Sequence, residues 1–225
     1  MNKIFSYLTD LENNNNREWF NANKQSYKKA RADFEEMLYL LVLAINKFDT
    51  NIPICDPKNL IFKIARDTRF TSDKTPYNPS FRACISSAGK RPVPVGYYIS
   101  IQPKERSFLG AGLAHSGIKG AADMVRDYIV LHDLEFSKII TNEKFLTHFS
   151  IKGETLKNMP QGYDNNHPHA KYLKNKSWYL QYPISDDLLF NTDNFVEQTA
   201  QVFSLMKPFV NYLNAALLDL KMPLR

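Results

Sequence analysis

From Tyr27 onward apolar residues recur every three or four positions, at Tyr27, Ala30, Phe34, Met37, Leu41, Ile45 and Phe48. That period places them on one stripe of a long helix, with Lys28, Lys29, Asp33 and Glu36 on the wet side. Upstream, the Asn13–Asn16 run reads as a helix start, because asparagine side chains accept bonds from free helix N–H groups. Asn15 with Glu18 three positions on fits a capping box, and Trp19 and Phe20 behind it read as core. Pro53 and Pro57 mark a connection, after which the period falls from 3.6 to 2. Leu60–Ala65 then reads as a strand, as do Phe81–Ser86, Val95–Gln102 and Ser107–Leu113. Alternation puts Phe81, Ala83, Ile85, Val95, Tyr97, Ile99 and Ile101 on one sheet face, and Arg82, Tyr98, Ser100 and Gln102 on the other.

Consecutive strands without intervening helices imply an antiparallel meander. After Gly120 the helical period returns at Ala121, Ala122, Val125 and Ile129, with short helices expected over Asp133–Thr141 and Asn142–Phe149. Met159–His169 reads as a loop leading into a short helix, with Pro168 suited to a first turn. Ser177–Tyr182 reads as the last strand. Phe195, Thr199, Val202, Met206, Phe209, Leu213, Ala216 and Leu220 trace a long closing helix that Pro208 should kink or split. The expected fold is a single α+β domain over residues 1–225, with an antiparallel-dominated central sheet and long helices at both chain ends.

Length and composition narrow the class. A chain of 225 residues with 44% hydrophobic and 23% charged residues can build a core and is not wholly disordered. Two cysteines, Cys55 and Cys84, exclude a disulfide framework. No apolar run approaches membrane-spanning length, and Met1–Asp10 lacks the pattern of a signal peptide, so a cytoplasmic protein is expected.

Charge changes the picture more. Between Lys58 and Arg106 lie ten basic and three acidic residues, a local balance of +7 against a total of +6. The whole cationic excess therefore sits in 49 consecutive residues, and such a field draws in anions. Its densest part is Phe62–Tyr77, where Arg66, Arg69 and Lys74 alternate with Thr68, Thr71, Ser72 and Thr75. Guanidinium forks match phosphate or carboxylate edges, and hydroxyls complete such a cradle. Asp67 and Asp73 would orient the guanidinium groups or move protons, and an Arg–Asp network would also brace the loop. The histidines at 115, 132, 148, 167 and 169 follow no metal-ligand spacing, and no nucleophile elbow or dinucleotide loop is present.

Several blocks carry a resemblance. They are Asn15-Asn16-Arg17-Glu18-Trp19-Phe20 with Asn23, Lys24 and Tyr27, then Arg66–Phe70 with Asp73–Tyr77. Gly96-Tyr97-Tyr98, Gly110-Ala111-Gly112, Pro160-Gly162-Tyr163, His167-Pro168 and Lys176-Ser177 follow. Together they resemble the mainly bacterial family known as domain of unknown function 2461, over about Phe5 to Leu217. Lys63, Ala65 and Ala114-His115 depart from its pattern. The resemblance implies a single α+β domain and no particular activity.

Three readings follow from the residues. In the first, Arg66, Arg69, Lys74, Tyr77, Arg82, Tyr98 and Gln102 bind a small anionic or phosphorylated ligand, with Asp67, Asp73 or His167 handling protons. The expected pocket has Tyr98 and Gln102 as its floor and Arg66 and Arg69 as its walls, under a loop folded over the polar sheet face. In the second, the same charges bind nucleic acid, with Tyr77 or Tyr98 stacking on bases. In the third, the protein is a noncatalytic interaction module whose motif is architectural. No metal or membrane partner is expected.

Overall fold

The computed structural model describes residues 2–114, 117–190 and 192–220. His115 therefore lies outside the described residues. Three helices open the chain: α1 (Asn2–Asn13), α2 (Arg17–Ala22) and α3 (Lys24–Asn46). A 3₁₀ turn at Pro57–Asn59 leads toward β1 (Phe81–Ile85), β2 (Tyr97–Ile101) and β3 (Ser107–Leu113). Four helices follow, α4 (Ala121–Leu131), α5 (Asp133–Ile140), α6 (Glu143–His148) and α7 (Ala170–Leu173). The chain then returns to the sheet as β4 (Trp178–Ile184) and closes with α8 (Asp186–Phe190) and α9 (Thr192–Ala216).

The sheet runs β1-β2-β3-β4, each neighbouring pair antiparallel. This is the expected α+β fold with long helices at both ends. The register sets Arg82 opposite Ser100 and Cys84 opposite Tyr98, so the two-residue alternation holds across strands. Phe81, Tyr97, Leu109 and Trp178 are buried on one face, among Phe34 of α3 and Phe203 and Phe209 of α9. Within this core the Tyr97 hydroxyl donates to the buried Asp49 carboxylate at 2.8 Å, so the polar end of the ring is satisfied.

Four local expectations need correction. Leu60–Ala65 is not a ladder strand: it makes isolated bridges, Ile61 to Ala83 and Ala65 to Tyr77. Its first half bonds to β1 and its second half to the returning arm of its own loop, through Arg66 N to Pro76 O and Asn78 N to Ile64 O. A segment that changes partner midway cannot build a continuous ladder. The cap of α2 is Asn16, which accepts from Trp19 N at 2.8 Å, and not Asn15. Trp19 and Phe20 pack against the core but remain partly exposed. Finally, α9 runs unbroken through Pro208, because packing along its apolar stripe outweighs one missing backbone bond.

Candidate functional site

The Arg66–Tyr77 loop leaves the sheet edge beside the turn between α1 and α2. Asn15 joins the two. Its Nδ2 donates to Tyr77 O at 2.9 Å, and its Oδ1 accepts from Tyr77 N at 3.1 Å. The side-chain amide thus replaces a strand partner for Tyr77, whose ring stacks on Phe20 with centroids 4.1 Å apart. Between turn and loop opens a cleft of about 560 Å³. One side is Asn15, Asn16 and Arg17; the other is Ala65, Arg66, Thr68 and Lys74–Tyr77.

Ion pairs brace the loop from within. The Arg66 guanidinium donates through Nη1 to the Asp73 carboxylate and to the Thr75 hydroxyl. Asp73 also accepts from the Thr75 N–H at 2.9 Å and from its hydroxyl at 2.8 Å. Arg69 grips Asp67 with both Nε and Nη2, at 2.9 and 2.6 Å. Lys74 Nζ donates to Thr68 O at 2.9 Å, drawing the loop's arms together. Phe70 stands at the tip, 92% exposed, with the Arg69 guanidinium 5.5 Å from its ring centroid.

These pairs hold both carboxylates anionic. The Thr75 N–H, then the Arg66 guanidinium, then the Thr75 hydroxyl bring Asp73 down to about 2, and Arg69 lowers Asp67 in the same way. The folded state therefore holds the Asp73 proton less tightly than the unfolded chain, whose carboxyl titrates near 3.8. Its bracing is fully present above pH about 4 and is lost as the pH falls toward 2. NMR titration of the Asp73 carboxyl is expected to show this midpoint, and a midpoint near 3.8 would show both the Thr75 and the Arg66 contacts absent in solution.

The structure brings some predicted residues together and parts others. Arg66, Lys74 and Tyr77 line the cleft; Arg69, Arg82, Tyr98, Gln102, Asp67, Asp73 and His167 are not among its lining residues. The cleft thus opens toward the helical turn rather than over the polar sheet face, because Asn15 pins the loop's return arm to that side. Arg82 and Tyr98 do share the outward sheet face, with Phe62 beside them. Gln102 closes the β2–β3 turn, where its backbone N–H donates to Ser107 Oγ and its carbonyl accepts from that hydroxyl.

His167 acts locally, its Nδ1 accepting from His169 N at 3.0 Å at the start of α7. His169 is buried, and its Nε2 lies 2.9 Å from Ser137 Oγ and 3.2 Å from Asp133 O. Among the described residues no group of three His, Cys, Asp or Glu side chains could hold a metal ion. None of the described helices is long and apolar enough to cross a membrane.

Asn15, Asn16 and Arg17 are the cleft residues that reading the charged loop alone misses. The signal was the Asn15–Phe20 block, which sits far from the loop in sequence and against it in space. An antiparallel four-stranded sheet backed by long helices, with a cleft lined by three cations at one corner, defines an α+β architecture. The chain belongs to the family described as conserved hypothetical protein (DUF2461), whose model matches residues 3–212. No curated protein and no solved structure matches it.

Proposed function

We propose that this protein binds a small anionic or phosphorylated ligand in the cleft between the Asn15–Arg17 turn and the Arg66–Tyr77 loop. One observation carries the reading: Arg17, Arg66 and Lys74 line a single cleft, and no carboxylate is among the residues lining it. Arg66 spends Nη1 on Asp73 and Thr75, and among the described residues its Nε and Nη2 have no hydrogen-bond partner. Arg17 and Lys74 form no ion pair among the described residues. An oxyanion here would meet an oriented guanidinium edge, two further cations and the side chains of Thr68, Asn15 and Asn16. Asp73 serves this site by orientation, since a carboxyl held near 2 donates no proton at neutral pH. Binding, rather than proton-transfer catalysis, is what this arrangement favours.

Calorimetric titration with phosphate, pyrophosphate and a nucleoside triphosphate tests the proposal. Arg66→Ala is expected to weaken binding at least tenfold, the effect of losing a charge-assisted bidentate contact. Lys90→Ala, on the exposed turn after β1, should bind like the parent. Equal binding by the two variants, or none by the parent at millimolar ligand, would overturn the reading.

A further inference from the structure

The outward face of the sheet is a surface of a different kind. None of the four strands contains an aspartate or glutamate. Arg82, Tyr98, Phe108 and Tyr179 stand at outward positions, each half-buried, while α3 and α9 pack on the opposite, core face. Gly110 lies opposite Tyr98 and leaves its site bare. The Phe108 ring leans into that space: its edge comes within 3.9 Å of where a Gly110 Cβ would stand. Tyr98 and Phe108 adjoin with centroids 5.7 Å apart and planes 26° from parallel, and Phe62 extends the row at 6.1 Å from Tyr98. The three side chains form one aromatic row on the outward side of the sheet, whereas the Tyr77 ring stacks on Phe20.

Cations flank the row. The Arg82 guanidinium sits 5.9 Å from the Phe62 ring centroid, and its Nε is buried without a hydrogen-bond partner. Lys152 marks the opposite edge, donating to Gln181 of β4 at 3.1 Å. Four strand spacings, about 19 Å, separate Arg82 on β1 from Lys152, which bridges Tyr179 from outside β4. Flat aromatic rings between positive edges, with no acidic residue in the strands, match a polyanion whose repeating units carry planar rings. We propose that this face is a stacking platform for single-stranded nucleic acid, with Tyr98 and Phe108 under the bases and Arg82 at the phosphates. A duplex hides its base faces and fits the platform poorly.

Fluorescence anisotropy with a labelled 12-nucleotide single-stranded oligothymidylate and with a duplex of equal length tests this, at about 50 mM salt where phosphate contacts are strong. The full chain is expected to bind the single strand at least tenfold more tightly than the duplex. Tyr98→Leu should weaken that binding about tenfold with the salt slope retained, as loss of one stacked base predicts. Arg82→Gln should reduce the slope by about one. If Tyr98→Leu does not fold, by circular dichroism, Phe108→Leu carries the same expectation. Phosphate titration of Tyr98→Leu should match the parent, so failure here and failure of the cleft reading remain distinguishable. Equal affinity for single strand and duplex, unchanged affinity in both leucine variants, or no binding by the parent would overturn the proposal. So would a dimer in sedimentation that Tyr98→Leu dissolves, since the face would then be an interface between copies.

Discussion

Arg126→Met is expected to lower folding stability by about 3 kcal/mol, read as a shift of the guanidinium chloride midpoint at unchanged slope. Arg126 is 4% exposed on α4 and spends its whole fork. Nε donates to Leu173 O at 2.9 Å, Nη2 to Asn175 O at 2.7 Å and Nη1 to Asp123 at 2.7 Å. The first two tie the end of α7 and the approach to β4 onto α4. Methionine keeps much of the stem's packing near Trp178 but leaves two buried carbonyls without donors, at roughly 1–3 kcal/mol each. Lysine carries the charge without the fork and should recover less than half of the loss. A change below about 0.5 kcal/mol would show that water replaces the guanidinium without penalty.

Gly96→Ala is expected to destabilise by about 2–3 kcal/mol, for a steric reason. A Cβ there would stand 2.3 Å from Ile85 O and 2.7 Å from Ser86 Cβ, where β1 ends against the start of β2. Neither neighbour is the free end of a flexible side chain. The chain before Gly96 cannot retreat, because Asn214 of α9 accepts from Val95 N at 2.8 Å and donates to Val95 O at 3.0 Å. Gly120→Ala provides the contrast. Its Cβ would meet nothing within 4 Å, but its φ of +80° disfavours any side chain, so a loss near 1 kcal/mol is expected. Thermal melts of both variants check the order, and equal losses would show that the hairpin end yields.

The candidate site was half legible. Arg66, Lys74 and Tyr77 stand out in the sequence because cations, hydroxyls and a proline gather in one non-periodic stretch. The other half lies some fifty residues earlier, at Asn15–Arg17, and no local pattern says which side of the sheet the loop will lean toward. One pair of side-chain-to-backbone bonds from Asn15 decides it. The same two bonds take Asn15 away from the capping role its spacing suggests and leave that role to Asn16. The helix Asn2–Asn13 carried a usable signal in Ile4, Leu8 and Leu11, whose three-and-four spacing matches its buried face.

The sequence by itself determined the elements whose side chains alternate or recur against one continuous partner. β1, β2 and β3 fall where a period of two places them, and α3 and α9 where a period of 3.6 does, because burial of one face is a local, repeating demand. The cationic excess, and its confinement to the stretch around the loop, was equally plain, since charge needs no partner to be counted. Only the tertiary structure decided features built from pairs distant in the chain. Leu60–Ala65 lost its ladder because two partners divided it, and the cleft opened beside α2 because Asn15 reached Tyr77. Arg126 became a buried brace because Leu173 and Asn175 brought it their carbonyls. Each rests on directional bonds of a single geometry, which leave no period in the sequence to read.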